Sequence, residues 1–192
     1  MDELLDKRPI IVAIAGPNGA GKSTFYEAFL RQAGLRYINA DEIGRTLGID
    51  AYAAAKVADG MRRELVARRE SFVFETVFSD PVGEKVAFLK SAAADGYSVV
   101  LCFVGLNSTE ASDTRVAMQV SQGGHDVPPD KIVQRYPRTL ANLARAVEGL
   151  PAVFVYDNSD LERPFELIAE YRGGKAIRQS KAVPRWFKKL NI

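Results

Sequence analysis

The apolar positions divide the chain into alternating extended and helical segments. Residues 9–15, Pro-Ile-Ile-Val-Ala-Ile-Ala, are continuously apolar and rich in β-branched side chains, the pattern of a strand buried on both faces. A glycine-rich turn follows, then a helical segment with Phe25, Ala28 and Phe29 at spacings of three and four, stopped by residues 31–34. Residues 35–40 predict a second short strand, ending at Asp41 and Glu42. From 51 to 70, Ala54, Val57, Met61 and Leu65 make an apolar stripe that predicts a long amphipathic helix, with Arg62, Arg63, Arg68 and Arg69 off it. Residues 71–78 read as a third strand, and Ser79-Asp80-Pro81 as the start of a helix ending near Gly96. A fourth strand is expected at 97–104, a helix at 107–122 closed by Gly123-Gly124, and a fifth strand at 152–156. Strands alternating with helices predict an α/β fold: a mostly parallel sheet of about five strands between two helical layers, with binding residues at the carboxyl ends of the strands.

Composition adds little to that outline and removes several function classes. A length of 192 residues with 47% hydrophobic content suits one domain spanning 1–192. The 26 basic and 24 acidic side chains leave a formal charge of +2, which disfavours a general nucleic-acid partner. Cys102 is the one cysteine and His125 the one histidine, so neither a disulfide nor a multi-histidine or cysteine metal cluster can form, and a reducing cytoplasm is the expected home. No apolar run approaches the roughly 20 residues of a membrane span. The tail from 171 to 192 carries seven Lys or Arg and no acid, and is expected to close the domain as a solvated helix face, with Trp186 and Phe187 packing it onto the core.

The strongest local signal is Gly16-Pro17-Asn18-Gly19-Ala20-Gly21-Lys22-Ser23, followed by Thr24, a full match to G-x-x-x-x-G-K-[ST] after a buried strand and before a helix. Its glycines let backbone N–H groups turn inward as an anion nest, and the following helix adds its positive end. Lys22 brings charge to the outer phosphates of ATP, with GTP as the alternative, and Ser23 offers a hydroxyl to Mg²⁺. Transporter-type ATPases share this string. Yet no strand here ends in four apolar residues and Asp-Glu, Ser121-Gln-Gly-Gly124 matches their LSGGQ signature only superficially, and the Asn-Lys-x-Asp of GTPases is absent.

Phosphoryl transfer to an alcohol needs an acid near the acceptor hydroxyl and cations around the moving charge. Asp41 after the second strand could orient or deprotonate the acceptor, and Glu75 with Thr76, late in the third, could bind it; Glu75 interrupts an otherwise apolar strand. Lys131, Arg135, Arg138 and Arg145 share one helical face beside Ile132, Tyr136, Leu140, Leu143 and Val147. Residues 107–149 are thus a candidate lid, which Pro137 is expected to kink or divide. For His125, a structural or phosphate-contact role is expected rather than catalysis.

In series, the phosphate loop, Ile38-Asn-Ala-Asp-Glu42, Phe74-Glu-Thr76, Arg115-Val116, Gly123-Gly-His-Asp-Val-Pro128, Arg135-Tyr136 and Tyr156-Asp-Asn-Ser159 resemble the zeta toxin family and its small relatives. The resemblance implies a P-loop kinase that moves the γ-phosphate of ATP to a hydroxyl of a UDP-amino sugar. Lys22 and Ser23 would hold nucleotide and magnesium, Asp41 would serve as base, Glu75 and Thr76 would bind the acceptor, and Arg115, with Arg135 as a weaker match, would stabilise the phosphoryl group; His125 is expected among the substrate-binding residues. It also implies an antitoxin protein as partner. Where relatives of this type carry a second arginine four residues after the position of Arg115, this chain has Gln119, which cannot supply that charge. Two alternatives remain beside the small-molecule kinase: an ATPase switch coupled to a protein partner, and a nucleic-acid end kinase using the basic lid and tail.

Overall fold

The computed structural model describes residues 2–108 and 128–192; the helix expected at 107–122, and with it Arg115, Gln119 and His125, falls outside them. After a short helix α1 (Asp2–Leu5), strand β1 (Ile10–Ala15) lies inside the sheet with every residue buried. It pairs in parallel with β3 (Phe72–Thr76) on one side and β4 (Ser98–Gly105) on the other. Adding β2 (Arg36–Ile38) and β5 (Ala152–Asp157) gives the five parallel strands that the apolar runs predict.

The sheet has seven strands, ordered β2-β3-β1-β4-β5-β6-β7. The additional pair, β6 (Glu166–Arg172) and β7 (Lys175–Gln179), is antiparallel, so residues 171–179 are strand and turn where a closing helix was expected. Gly173 and Gly174 turn the hairpin at φ 53° and 79°, angles that side-chain-bearing residues rarely adopt. Its outer strand is exposed at every position and shows no apolar alternation, which hid it from a reading based on hydrophobic period. The tail then ends in helix α7 (Arg185–Lys188), which buries Trp186 and Phe187 as expected.

Alternate residues of β1 serve two cores, which makes the fold a three-layer sandwich. Ile11, Ala13 and Ala15 face the layer holding α4 (Ala51–Ala67), α5 (Glu84–Ala94), α6 (Pro129–Gly149) and α7. Ile10, Val12 and Ile14 face α1 and α2 (Lys22–Phe25), which continues as a wider turn over Tyr26–Leu30. No helix among the described residues is long and apolar enough to cross a membrane.

Three helical expectations are corrected. The buried stripe of α4 is Ala54, Ala58, Arg62 and Leu65, while Val57 is 38% exposed. Arg62 lies on the stripe because its guanidinium pairs with Asp59 at 2.8 Å and covers the Phe74 ring at 5.0 Å, so its long stem packs as an apolar group. Second, α5 begins at Glu84 rather than near Pro81: the chain turns through Phe78 at φ 64° and Gly83 at φ 82°, and Asp80 accepts from the Glu84 N–H. Third, α6 runs from Pro129 to Gly149 with Pro137 inside it, so of the kink or division expected there it is the division that does not occur.

Trp186 locks the tail to the sheet. Its indole N–H donates to Asp157 Oδ1 at 2.8 Å, its ring packs on Phe103 and Phe187, and a Cβ on Gly105 would fall 2.1 Å from it. Trp186→Ala should therefore lower unfolding free energy by about 3–5 kcal/mol in a urea titration; a loss below about 1 kcal/mol would mean that the tail does not help to hold the sheet.

Candidate active site

The loop of residues 16–23 leaves the carboxyl end of β1 where the strand order reverses, with β3 on one side and β4 on the other. Gly16 presses against β4 so closely that a Cβ there would lie 2.1 Å from Val104 O. At the far end of the loop, Asn158 acts as a clamp. Its Nδ2 donates to Ala20 O at 2.9 Å, its Oδ1 accepts from Phe165 N at 3.3 Å, and its own N–H donates to Gly105 O at 3.0 Å. A Cβ on Gly21 would stand 2.8 Å from Asn158 Nδ2, so glycine is required there by space as well as by its φ of 85°. Half-buried Lys22 reaches back over the loop, donating to Gly16 O at 3.2 Å and Pro17 O at 3.0 Å.

Glu75 joins the loop to two neighbouring strands. Ser23 Oγ donates to Glu75 Oε2 at 3.2 Å, Tyr37 Oη donates to Oε1, and Asn39 Nδ2 donates to Tyr37 Oη at 3.1 Å. Asn39 Oδ1 in turn accepts from the N–H groups of Asp41 (2.9 Å) and Glu42 (3.3 Å), capping helix α3 (Ala40–Leu47). The Tyr37 ring stacks on Tyr26 with centroids 3.7 Å apart and planes 4° from parallel. One chain of hydrogen bonds thus runs from the phosphate loop through Glu75 to the helix that carries Asp41.

Burial sets the electrostatics here. It pushes the Glu75 carboxyl above its usual range, opposed by the Lys22 charge and by the bonds from Tyr37 and Ser23. It also pushes the Lys22 ammonium down, opposed by Glu75 and then Asp41. The Tyr37 hydroxyl is driven upward, first by burial and then by the adjacent Glu75 charge, so it remains a donor. Two oxygen groups, the Ser23 hydroxyl and the Glu75 carboxylate, suit a hard cation such as Mg²⁺, whose remaining ligands come from nucleotide and water. Among the described residues no group of three His, Cys, Asp or Glu side chains could hold a metal unaided.

Among the described residues, the other expected ones make no hydrogen bond to Lys22, Ser23 or Glu75; Asp41 is linked to them only by its N–H, which ends the chain of bonds through Asn39. Asp41 is exposed in the first turn of α3. The hydroxyl of Thr76 accepts from Phe78 N at 3.0 Å, so it shapes the turn after β3. That turn is bolted to α6: Thr139 Oγ1 donates to Val77 O at 2.8 Å, and Asn142 Nδ2 donates to Phe78 O and Asp80 O at 2.8 Å each. Tyr136 Oη donates to Leu106 O at 2.6 Å, tying the same helix to the end of β4. Arg135, half-buried, sits one turn before Thr139, while Lys131, Arg138 and Arg145 are exposed. Sequence reasoning gave no role to Tyr37, Asn39, Thr139, Asn142 or Asn158. The signal lay in polar residues at strand ends and on a buried helix face.

No family model matches the chain. An uncharacterised protein of Haemophilus influenzae is 29% identical over 129 residues, 63% of this chain and 88% of that protein. Among solved structures, a chain of the ATP-bound complex of AvrRxo1-ORF1 and ORF2 superposes with a TM-score of 0.68 at 16% identity, over 98% of this chain. This chain spans 66% of that one, just under two thirds of its length. A structure from the PezAT chromosomal toxin-antitoxin system of Streptococcus pneumoniae superposes at 0.57 with 15% identity, over 97% of this chain and 80% of that one. Both likenesses are of fold alone: a mixed α/β sandwich around a mostly parallel sheet.

Tyr37→Phe removes the donor to Glu75 and leaves Asn39 Nδ2 without its acceptor. The loss should be about 1–3 kcal/mol in a urea titration; a change under about 0.3 kcal/mol would mean that this chain of bonds carries no stability.

Proposed function

We propose that this protein is an ATP-dependent phosphotransferase that moves the γ-phosphoryl group to a hydroxyl of a small molecule. The observation that carries the reading is the Ser23–Glu75 hydrogen bond, which seats the phosphate loop against a carboxylate beside the Asp41 helix. The ATP-bound complex sharing the fold supports ATP as donor, with GTP the alternative.

In this reading the inward N–H groups of residues 16–23 bind the phosphates, and the positive end of α2 lies beneath them. Lys22 gives up its contacts to Gly16 O and Pro17 O and charges the outer phosphates. Ser23, and Glu75 beside it, would hold Mg²⁺, which supplies charge neutralisation for the leaving oxygens. Asp41 accepts or orients the acceptor proton. Thr76, Glu75 and His125 would bind the acceptor, and Arg115 and Arg135 would stabilise the charge that spreads during transfer. Residues 107–149 would serve as the lid of one domain of 1–192, and the part of it at 129–149 is fastened to the turn after β3. The cytoplasm is the expected compartment. For the acceptor, the best single choice is a UDP-amino sugar, a choice that rests on the resemblance to zeta toxins.

A protein partner is a second element of the reading. It is supported by the two similar structures, one crystallised as a two-protein complex and the other from a toxin-antitoxin system. An ATPase switch without an acceptor would use the same loop.

A screen of hydroxylated acceptors with γ-labelled ATP separates these. Label on an acceptor is expected; free phosphate released at a rate that no acceptor changes would favour the switch. Against an identified acceptor, Asp41→Asn should slow transfer by about 10²–10⁴-fold while leaving nucleotide affinity within about twofold, whereas Lys22→Ala should weaken nucleotide binding itself. Equal, mild effects of both would contradict the assigned roles.

A further inference from the structure

Charge is divided unevenly along the chain. Seven of the 26 basic side chains and none of the 24 acidic ones fall in residues 171–192, so the rest of the chain carries more acid than base. The near-neutral total therefore conceals a negative body with a positive tail. Six of the seven, Lys175, Arg178, Lys181, Arg185, Lys188 and Lys189, are exposed and form no ion pair with any described residue. The seventh, Arg172, is held by Glu170 at 2.7 Å.

Three of these cations follow the free edge of the sheet. β7 has β6 on one side and no strand on the other, so alternate N–H and C=O groups along it point outward. Every position of β7 is exposed, which leaves that edge uncovered by either helical layer. Pairing with β6 continues past its end, where Ser180 N donates to Ile168 O at 2.8 Å. Lys175, Arg178 and Lys181 thus set a positive charge at every third residue along roughly 20 Å of edge.

The chemistry of the edge selects its occupant. A second copy would set these cations against like charges, and the bulge where Ile177 is skipped in the pairing with β6 further disfavours self-pairing. Single-stranded nucleic acid needs exposed rings for its bases, yet Tyr171, Trp186 and Phe187 are all buried. A bilayer needs an apolar face, and Ile177 is the one large apolar side chain exposed in residues 171–192. A strand rich in Asp and Glu meets both demands at once, since its backbone pairs with the edge and its carboxylates meet the cations. We propose that β7 is the docking edge for an extended acidic segment of a partner protein, which joins the sheet beside Lys175, Arg178 and Lys181. The inference does not rest on the nucleotide reading, because three strands separate β7 from β1.

The test titrates the full chain into a fluorescent peptide of alternating Thr and Glu, read by anisotropy at low and high salt. Binding is expected at low salt and should weaken as salt rises. Methylating the peptide nitrogens that face β7 should weaken it about fivefold, because strand addition uses those donors. Lys175→Glu combined with Arg178→Glu should weaken it about tenfold, with melting curves checking that the variant folds. If it does not fold, the methylated peptide decides. On binding, the amides of residues 175–179 should exchange more slowly with solvent. No binding at low salt, or binding that either change leaves intact, overturns the docking edge. Tighter binding to oligothymidylate or to phosphatidylserine vesicles than to the peptide overturns it in favour of nucleic acid or a membrane. Protection of the same amides that grows with the concentration of the chain alone overturns it in favour of a second copy.

Discussion

A backbone carbonyl, Val104 O, stands where a side chain on Gly16 would begin, 2.1 Å from the position of its Cβ. No other residue type could leave β1 at that point without pushing β4 away, and β4 cannot move because all its residues from Val99 onward are buried. The loop must therefore turn sharply over the strand ends. At its far end Asn158 repeats the constraint, holding Ala20 O while leaving no room for a side chain on Gly21. Two contacts with segments far apart in sequence, Val104 in β4 and Asn158 just after β5, thus fix the loop from both ends.

The same rim holds charges that burial opposes. Lys22 and Glu75 each lose hydration, and each offsets part of the other's loss. Hydrogen bonds from Ser23 and Tyr37 keep the Glu75 carboxylate aimed at the phosphate loop, while Asn39 passes the connection to the helix bearing Asp41. The rim is also tied to α6, since two fully buried polar side chains, Thr139 and Asn142, are committed to the turn that follows Glu75 and Thr76. Any movement of that helix would be felt where the acceptor is proposed to sit.

Much of this was legible before the structure. Residues 10–15 read as a doubly buried strand because every position is apolar, and the loop after them matches a pattern whose glycines have a mechanical purpose. Glu75 stood out as an acid in an apolar strand. What escaped was information held in contacts rather than in period. Ser23 and Glu75 are 52 residues apart, and only the order β2-β3-β1 brings them together. β7 carries no apolar alternation because both its faces are exposed, so Gly173 and Gly174 passed as part of a tail. Arg62 was assigned to the outer face by its charge, although its stem and the Phe74 ring let it pack inside.

Calorimetric titration of MgATP into the folded protein addresses the central claim, that the loop of residues 16–23 is built to grip a triphosphate. One nucleotide should bind per chain, with heat that disappears in Lys22→Ala. A folded protein that takes up no nucleotide in the presence of magnesium would contradict the account.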